Sequence, residues 1–116
     1  MNIVLDVDGT LLEYDHYEPG VFGKPIPGAV EFLRKCRERG DTVILHTARS
    51  FAERTALFQH LYECHLLPGI DFDSIQHKPI GHVYIDDRAL RHDGDWKATA
   101  AAVEAVREAG VEEIVE

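Results

Sequence analysis

Short apolar runs of strand type alternate with amphipathic helical segments along this chain of 116 residues, and that alternation most constrains its fold. Residues 3–5, followed by Val7, form a β-branched run without helical periodicity, which predicts a buried strand. The continuous apolar run over residues 42–46 predicts a second strand, of the kind found in parallel sheets. Residues 74–77 indicate a weak third strand and residues 82–85 a stronger fourth.

Two helices are predicted between these strands. Pro27 suits the first turn of a helix, and Gly40 is placed to cap its C-terminus. Ser50 and Glu53 have capping-box spacing, which predicts the start of a second helix that ends before Pro68. Residues 10–26, between the first strand and the first helix, are broken by glycine and proline and predict a loop or small β-flap, called the flap below.

A final helix is predicted over residues 96–109, with Asp95 as its cap, Gly110 as its stop, and Thr99, Val103 and Val106 facing inward. Strands that alternate with helices in this way predict an α/β fold, a mostly parallel sheet with helices on both faces joined by right-handed crossovers. The length fits a single domain over residues 1–116.

The chain is acidic, with 21 Asp and Glu against 12 Lys and Arg and a formal net charge of −9. Because nucleic-acid binding draws most of its affinity from cationic contacts to phosphates, this balance argues against a dedicated DNA or RNA binder. Cys36 and Cys64 are too few for the disulfide framework of a secreted domain. No signal-peptide pattern and no apolar run long enough for a membrane span is found, so the cytoplasm is the expected location.

Polar residues follow each of the predicted strands. In open α/β sheets, ligands bind beyond the carboxyl ends of the strands, so the residues there are the candidates for a site. They are Asp6 and Asp8 after the first strand, Thr47, Ala48 and Arg49 after the second, Lys78 after the third, and Asp86, Asp87 and Arg88 after the fourth.

Four carboxylates at one sheet edge repel one another unless a positive charge lies among them, and a hard divalent cation such as Mg²⁺ suits oxygen ligands of this kind. Mg²⁺ typically takes one or two carboxylates and an oxygen of a substrate phosphate. Phosphate-monoester hydrolysis needs accelerations of up to about 10²¹, whereas one general acid contributes only about 10² to 10⁴. A metal, cationic side chains and a covalent nucleophile would therefore have to act together.

The order of these residues resembles the four signature motifs of the haloacid dehalogenase-like (HAD) superfamily. Each motif follows a predicted strand, and together they span most of the chain. They are residues 6–11 (DVDGTL), Thr47, Lys78, and Asp86 with Asp87; the wider runs 46–49 (HTAR) and 84–88 (YIDDR) are similar to small HAD proteins without a cap domain, including capsule-biosynthesis-associated phosphatases. The resemblance implies a Rossmann-like HAD core and phosphomonoesterase activity.

The resemblance also implies roles for individual residues. Asp6 would attack phosphorus and form an aspartyl-phosphate, and Asp8 would protonate the leaving oxygen and then activate water. Thr47 would hydrogen-bond the phosphoryl group, and Lys78 would neutralise charge between it and Asp6. Substrate-binding positions would be Gly9, Thr10, Ala48 and Arg49, although Arg49 could instead form a salt bridge at the rim of the site. Mg²⁺ would be held by the Asp6 carboxylate, the Asp8 backbone carbonyl and Asp86, with Asp87 as a ligand or just behind one.

Several alternatives remain within this resemblance. Dehalogenases of the superfamily lack the second acid, so Asp8 favours phosphoryl transfer. No interval between the motifs could hold a cap, so the site should be open unless a second subunit covers it. An open site suits a small phosphorylated metabolite or a phosphate at a chain end. A phosphate-binding module without catalytic activity, or a phosphatase acting on polynucleotide ends, would fit the same motifs, although the net charge argues against the latter.

Overall fold

The protein is described from a computed structural model, and the description extends over residues 1–111. Within that range no helix has both the length and the apolar character needed to cross a membrane. The secondary-structure elements of these residues, in chain order, are β1 (Asn2–Asp6), α1 (Ala29–Glu38), β2 (Thr42–Thr47), a 3₁₀ turn (Phe51–Glu53) that continues into α2 (Arg54–Glu63), β3 (Ser74–His77) and α3 (Trp96–Ala109). The predicted helices and the first three predicted strands are therefore confirmed.

The strands form one parallel sheet in the order β1-β2-β3. Asp6 pairs with His46, and Thr47 pairs with His77, so the carboxyl ends of all three strands meet at one edge. The α/β class and the parallel sheet predicted from the sequence are confirmed. Lys78 continues this edge, since its backbone N–H donates to the Thr47 carbonyl at 2.7 Å.

The apolar core lies against one face of the sheet. Leu5, Leu45 and Ile75 are register partners across the strands, and all three are buried. The same cluster takes side chains from each helix of the described range, among them Leu33, Leu57, Leu61 and Trp96. Val4 falls on the other face of β1 and is 55% exposed.

The predicted fourth strand is absent from residues 82–85, which follow an irregular and exposed path. The aromatic ring of Tyr84 instead closes a local turn, in which its hydroxyl donates to the Pro79 carbonyl and accepts from Gly81 N–H at 3.1 Å. Lys78 Nζ lies 4.3 Å from the centre of the same ring. Local hydrogen bonds and a cation–π contact thus hold this segment. They take the place of the pairing with a neighbouring strand that the apolar run predicted.

Some helix ends agree with the sequence expectations and others differ. The Asp95 carboxylate caps α3 by accepting from Lys97 N–H at 3.1 Å and Ala98 N–H at 3.2 Å, as predicted. The capping box of Ser50 and Glu53 does not form, because Ser50 makes no cap hydrogen bond and the Glu53 carboxylate binds tertiary partners. Val106, expected to face inward, is 42% exposed.

Candidate active site

Asp6 and Lys78 form a charged pair at the edge where the strands end. Asp6 is the last residue of β1 and Lys78 directly follows β3. The Lys78 ammonium lies 3.7 Å from Asp6 Oδ1, and both side chains remain partly open to solvent. Because β1 and β3 are separated by β2, the pair spans the width of the sheet.

The surroundings of Asp6 act on its charge in opposite directions. Burial raises its pKa above the ordinary value of 3.8, while Lys78 and a hydrogen bond from Val7 N–H oppose that rise without cancelling it. A carboxylate that is partly desolvated beside a cation differs from a solvated surface acid and marks Asp6 as a candidate functional group.

Asp8 points to a different partner, the guanidinium of Arg49. Arg49 Nε donates to Asp8 Oδ2 at 2.8 Å and Nη2 donates to Oδ1 at 3.1 Å, a bidentate pair that holds the plane of the carboxylate. The Arg49 side chain is only 5% exposed. The rim salt bridge considered for Arg49 therefore exists, but it is buried and its partner is Asp8.

Thr47 and Ala48 connect β2 to Arg49. Thr47 is 1% exposed, and its hydroxyl accepts a hydrogen bond from Arg49 N–H at 3.1 Å. Ala48 is half-buried beside it. The hydroxyl of Thr47 thus stabilises the turn after β2, and its predicted contact with a phosphoryl group stays a prediction.

The segment after Asp8 folds into a tight turn that a glycine makes possible. Gly9 has φ +80°, in the left-handed region, and its N–H donates to the Leu12 carbonyl at 2.8 Å. Thr10 N–H donates to the Val7 carbonyl at 3.3 Å. The backbone N–H groups of Gly9 and Thr10 are thus used within the turn, and the substrate-binding role expected of these two residues stays a prediction.

Glu53, which was expected to cap a helix, and Tyr17 of the flap also belong to this region. Glu53 Oε1 accepts from Arg49 Nη1 at 3.1 Å and from Gly20 N–H at 3.0 Å, and Glu53 Oε2 accepts from Tyr17 OH at 2.8 Å. Burial alone would raise the pKa of Glu53, but the hydrogen bonds from Gly20, Tyr17 and Arg49 outweigh it and lower the pKa to about 2. The four-residue spacing of Arg49 and Glu53 is a signal that could have revealed the pair.

A cavity of about 340 Å³ lies between the flap and this cluster. Tyr14, Glu18, Phe22 and Arg49 line it, together with His16. Both ring nitrogens of His16 are hydrogen-bonded to acids, one to Asp15 and one to Glu18. Tyr14 and His16 of the flap therefore border an opening beside Arg49.

Asp86 and Asp87 are not brought to Asp6 and Asp8. Both lie in the exposed segment that replaces the predicted fourth strand, and Asp86 Oδ1 accepts a local hydrogen bond from Arg88 N–H at 2.7 Å. Among residues 1–111, no group of three or more His, Cys, Asp or Glu side chains is placed to hold a metal ion. The expected four-carboxylate edge is thus incomplete here, because the strand that would deliver two of its members does not form.

Asp71 and Asp73, which also have Asp-x-Asp spacing, have structural roles. Asp73 accepts from Val43 N–H at 2.7 Å, and Asp71 accepts from Leu67 N–H at 2.8 Å. His46, which pairs with Asp6 in register, bonds the His77 carbonyl at 3.0 Å through Nε2. Asp71 and Asp73 thus lie before the start of β3, at the end of the strands opposite to Asp6, whereas His46 supports the carboxyl edge.

The fold recurs in solved structures of other proteins. A structural-genomics protein from Vibrio cholerae superposes with a TM-score of 0.68 at 23% identity, over 92% of this chain and 94% of that one. A conserved protein from Bacteroides thetaiotaomicron gives a TM-score of 0.62, also at 23% identity, over 96% of this chain and 93% of that one. At this identity the likeness shows a shared fold.

A more distant overlap is found with the D,D-heptose 1,7-bisphosphate phosphatase of B. bronchiseptica, whose structure was determined with magnesium and phosphate. Its TM-score is 0.48 at 20% identity, over 76% of this chain and 53% of that one. No protein-family model matches the chain, and no curated protein matches it either.

Proposed function

We propose that this protein is a magnesium-dependent phosphatase that hydrolyses a phosphate monoester through an aspartyl-phosphate on Asp6. The observation that carries the proposal is the Asp6–Lys78 pair, 3.7 Å apart at the carboxyl edge of the sheet. It lies next to the Asp-x-Asp segment of residues 6–8, whose order with Thr47 and Lys78 resembles the HAD motifs. A desolvated carboxylate beside a lysine suits attack on a phosphoryl group that is itself attracted to the cation.

In the first step, an Asp6 carboxylate oxygen attacks phosphorus while the bond from phosphorus to the leaving oxygen breaks. Asp8, with its proton on a lone pair that the Arg49 pair leaves free, gives that proton to the leaving oxygen, so the alcohol leaves neutral. Lys78 holds the negative charge of the transferring group, and Thr47 donates a hydrogen bond to it. In the second step, water gives a proton to Asp8 and attacks phosphorus, which releases inorganic phosphate and restores Asp6.

The donors at this edge fit Mg²⁺ in their chemistry. The Asp6 carboxylate and the Asp8 backbone carbonyl are hard oxygen ligands, and Mg²⁺ in phosphoryl-transfer sites commonly binds few protein ligands together with water and substrate phosphate. When bound, the ion would supply charge stabilisation for the phosphoryl oxygens. Asp86 and Asp87 as further ligands stay a prediction that requires another arrangement of residues 78–91.

The proposed substrate is a small phosphorylated metabolite or a phosphate at a chain end. The segments between the proposed motifs hold only the flap, the core strands, and one helix each, α1 before Thr47 and α2 before Lys78. The Asp6 carboxylate remains partly exposed. The net charge of −9 disfavours a nucleic-acid substrate. A location in the cytoplasm remains an expectation of the sequence, as does a site that is open unless a second subunit covers it.

Turnover of p-nitrophenyl phosphate tests the proposal directly. We expect the wild-type protein to release p-nitrophenol with Mg²⁺, to lose this activity with EDTA, and to regain it when Mg²⁺ is restored. Asp6→Asn should reduce turnover to background, whereas Asp93→Asn, which changes an exposed acid before α3, should not. Protein quenched in acid during turnover should retain phosphate in the wild type and none in Asp6→Asn.

Two results would contradict the proposal. Turnover that survives Asp6→Asn would show that Asp6 is not the nucleophile. Turnover that EDTA leaves unchanged would show that the reaction needs no metal. Binding of phosphate without any turnover would instead favour a non-catalytic phosphate-binding module.

A further inference from the structure

We propose that Arg49 is a positioning residue which makes the orientation of Asp8 depend on the conformation of the flap. This inference rests on the proposed function, because Asp8 matters as the acid and base of that reaction. It differs from the substrate-binding role that the sequence suggested for Arg49.

All the N–H donors of Arg49 are used in hydrogen bonds within the protein. A guanidinium has five N–H donors. Two bind the Asp8 carboxylate, at 2.8 and 3.1 Å, and a third binds Glu53 at 3.1 Å. The remaining two bind the backbone carbonyls of Glu18 at 3.1 Å and Val21 at 2.7 Å, both in the flap. With all five donors used and the side chain 5% exposed, no donor is left for a phosphate.

The flap is held in place by polar contacts. Residues 13–21 are exposed and therefore bury little apolar surface of their own. They are held instead by polar contacts to Arg49 and Glu53: the Glu18 and Val21 carbonyls on Arg49, and Tyr17 OH and Gly20 N–H on Glu53. The guanidinium carbon also lies 4.2 Å from the ring centre of Phe22. One buried guanidinium thus joins the flap to Asp8.

The rigid guanidinium of Arg49 binds Asp8 on one side and the flap on the other, so the two cannot move independently. Because the planar guanidinium binds both oxygens of Asp8, rotation of that carboxylate requires Arg49 to move or a bond to break. Movement of Arg49 would in turn disturb the bonds to Glu18, Val21 and Glu53. Lysine cannot replace it, since an ammonium is a point charge without the planar fork. The flap conformation and the direction of Asp8 are therefore linked.

Steady-state kinetics with p-nitrophenyl phosphate test the link. Arg49→Lys keeps the charge but loses the fork, and we expect kcat to fall by about 10²-fold with KM changed by less than about threefold, as for a displaced catalytic group. Tyr17→Phe, which does not contact Asp8, should lower kcat several-fold. In the Arg49→Lys background, Tyr17→Phe should have no further effect, since both act through the same connection. Arg34→Lys, a surface change, is the matched control.

Hydrogen exchange of the flap gives a second measurement that needs no turnover and no change at Arg49. We expect Asp8→Asn, which weakens the bidentate pair, to increase amide exchange in residues 13–24, and Asp6→Asn to leave it as in the wild type. Tyr17→Phe should also increase it, which provides a variant with the Asp8–Arg49 pair intact.

The outcomes separate this inference from the proposed function. A raised KM with unchanged kcat in Arg49→Lys would mean that Arg49 binds substrate, which overturns the positioning role. Additive effects of Tyr17→Phe and Arg49→Lys on kcat would overturn it as well. So would amide exchange in the flap that is the same in Asp8→Asn as in the wild type, if the wild-type enzyme turns over. Faster flap exchange in Asp8→Asn, in a protein that shows no turnover, would support the Arg49 connection and reject the proposed reaction.

Discussion

The Trp96 indole Nε1 donates a hydrogen bond to the Thr10 carbonyl at 3.0 Å and so joins two residues 86 positions apart. Trp96 is the first residue of α3 and is buried, with its ring 4.8 Å from that of Phe32. Thr10 closes the turn that follows Asp6 and Asp8. The start of α3 therefore supports the backbone that carries the proposed nucleophile and acid.

Removal of this hydrogen bond should destabilise the fold. Trp96→Phe leaves the Thr10 carbonyl without its partner and a space beside Phe32, so we expect the free energy of unfolding to fall by about 1–3 kcal/mol. Urea unfolding followed by far-UV circular dichroism measures it, because the substitution removes the single tryptophan. Phe51→Leu, at an exposed aromatic residue, should change stability by less than about 0.5 kcal/mol. An unchanged urea midpoint in Trp96→Phe would contradict the support assigned to this bond.

Gly28 is required both by its backbone angle and by the space next to it. Its φ is +91°, and a Cβ added there would lie 2.9 Å from Trp96 Cβ. Gly40 has φ +79° with nothing within 4 Å of an added Cβ, so it isolates the cost of the backbone angle. We expect Gly40→Ala to cost about 1–2 kcal/mol and Gly28→Ala to cost clearly more. Equal losses in urea unfolding would show that Trp96 moves aside freely.

Asp41 should make the stability of the protein depend on acid pH. Its carboxylate is 1% exposed and receives two hydrogen bonds from Arg107, which are the main cause that lowers its pKa from 3.8 to about 2. Since the folded pKa is depressed, the contribution of Asp41 is fully present above about pH 4 and is lost as the pH falls through about 2.

Thermal unfolding between pH 6 and pH 2 is the measurement for Asp41. Asp41→Asn should be less stable at neutral pH and lose less stability than the wild type as the pH falls. Asp15→Asn changes a side chain that is 99% exposed and should keep the wild-type slope. Parallel curves for Asp41→Asn and the wild type would show that this ion pair does not set the acid dependence.

Lys78 should matter for turnover through its charge. Lys78→Met keeps much of the side-chain length but removes the ammonium beside Asp6, and we expect kcat/KM for p-nitrophenyl phosphate to fall by about 10²- to 10³-fold, as when one stabilising donor of a transition state is removed. Lys97→Met, at an exposed position of α3, is the matched control and should leave activity unchanged. A decrease in kcat/KM of less than about twofold in Lys78→Met would show that Lys78 does not take part in the mechanism.

The pattern of the first three strands was sufficient to predict where they lie and that Asp6 and Lys78 meet. Their apolar runs are buried in a parallel sheet, and a parallel sheet brings all carboxyl ends to one edge. The same reasoning was wrong for residues 82–85. An apolar run shows that a segment can form a strand, but not whether a neighbouring strand pairs with it. Here the turn made by Tyr84 with Pro79 and Gly81 takes its place.

Glu53 shows a second limit of local patterns. Its spacing from Ser50 predicted a helix cap, yet its carboxylate binds Arg49, Tyr17 and Gly20. A charge-assisted bond to a buried arginine is stronger than a bond to a solvent-accessible backbone N–H, so Arg49, four residues before Glu53, and the two flap residues bind the carboxylate instead.

The amino-acid sequence by itself determined the α/β class, the parallel strands that end at Asp6, Thr47 and His77, and the acid pair of residues 6–8, because these follow from local periodicity and chain order. The tertiary structure decided how the side chains are used. It turned Asp8 toward Arg49, connected Arg49 to the flap, and left Asp86 and Asp87 away from Asp6. The physical reason is that hydrogen bonds between residues 28 to 41 positions apart depend on how the chain packs in space, which no local pattern records.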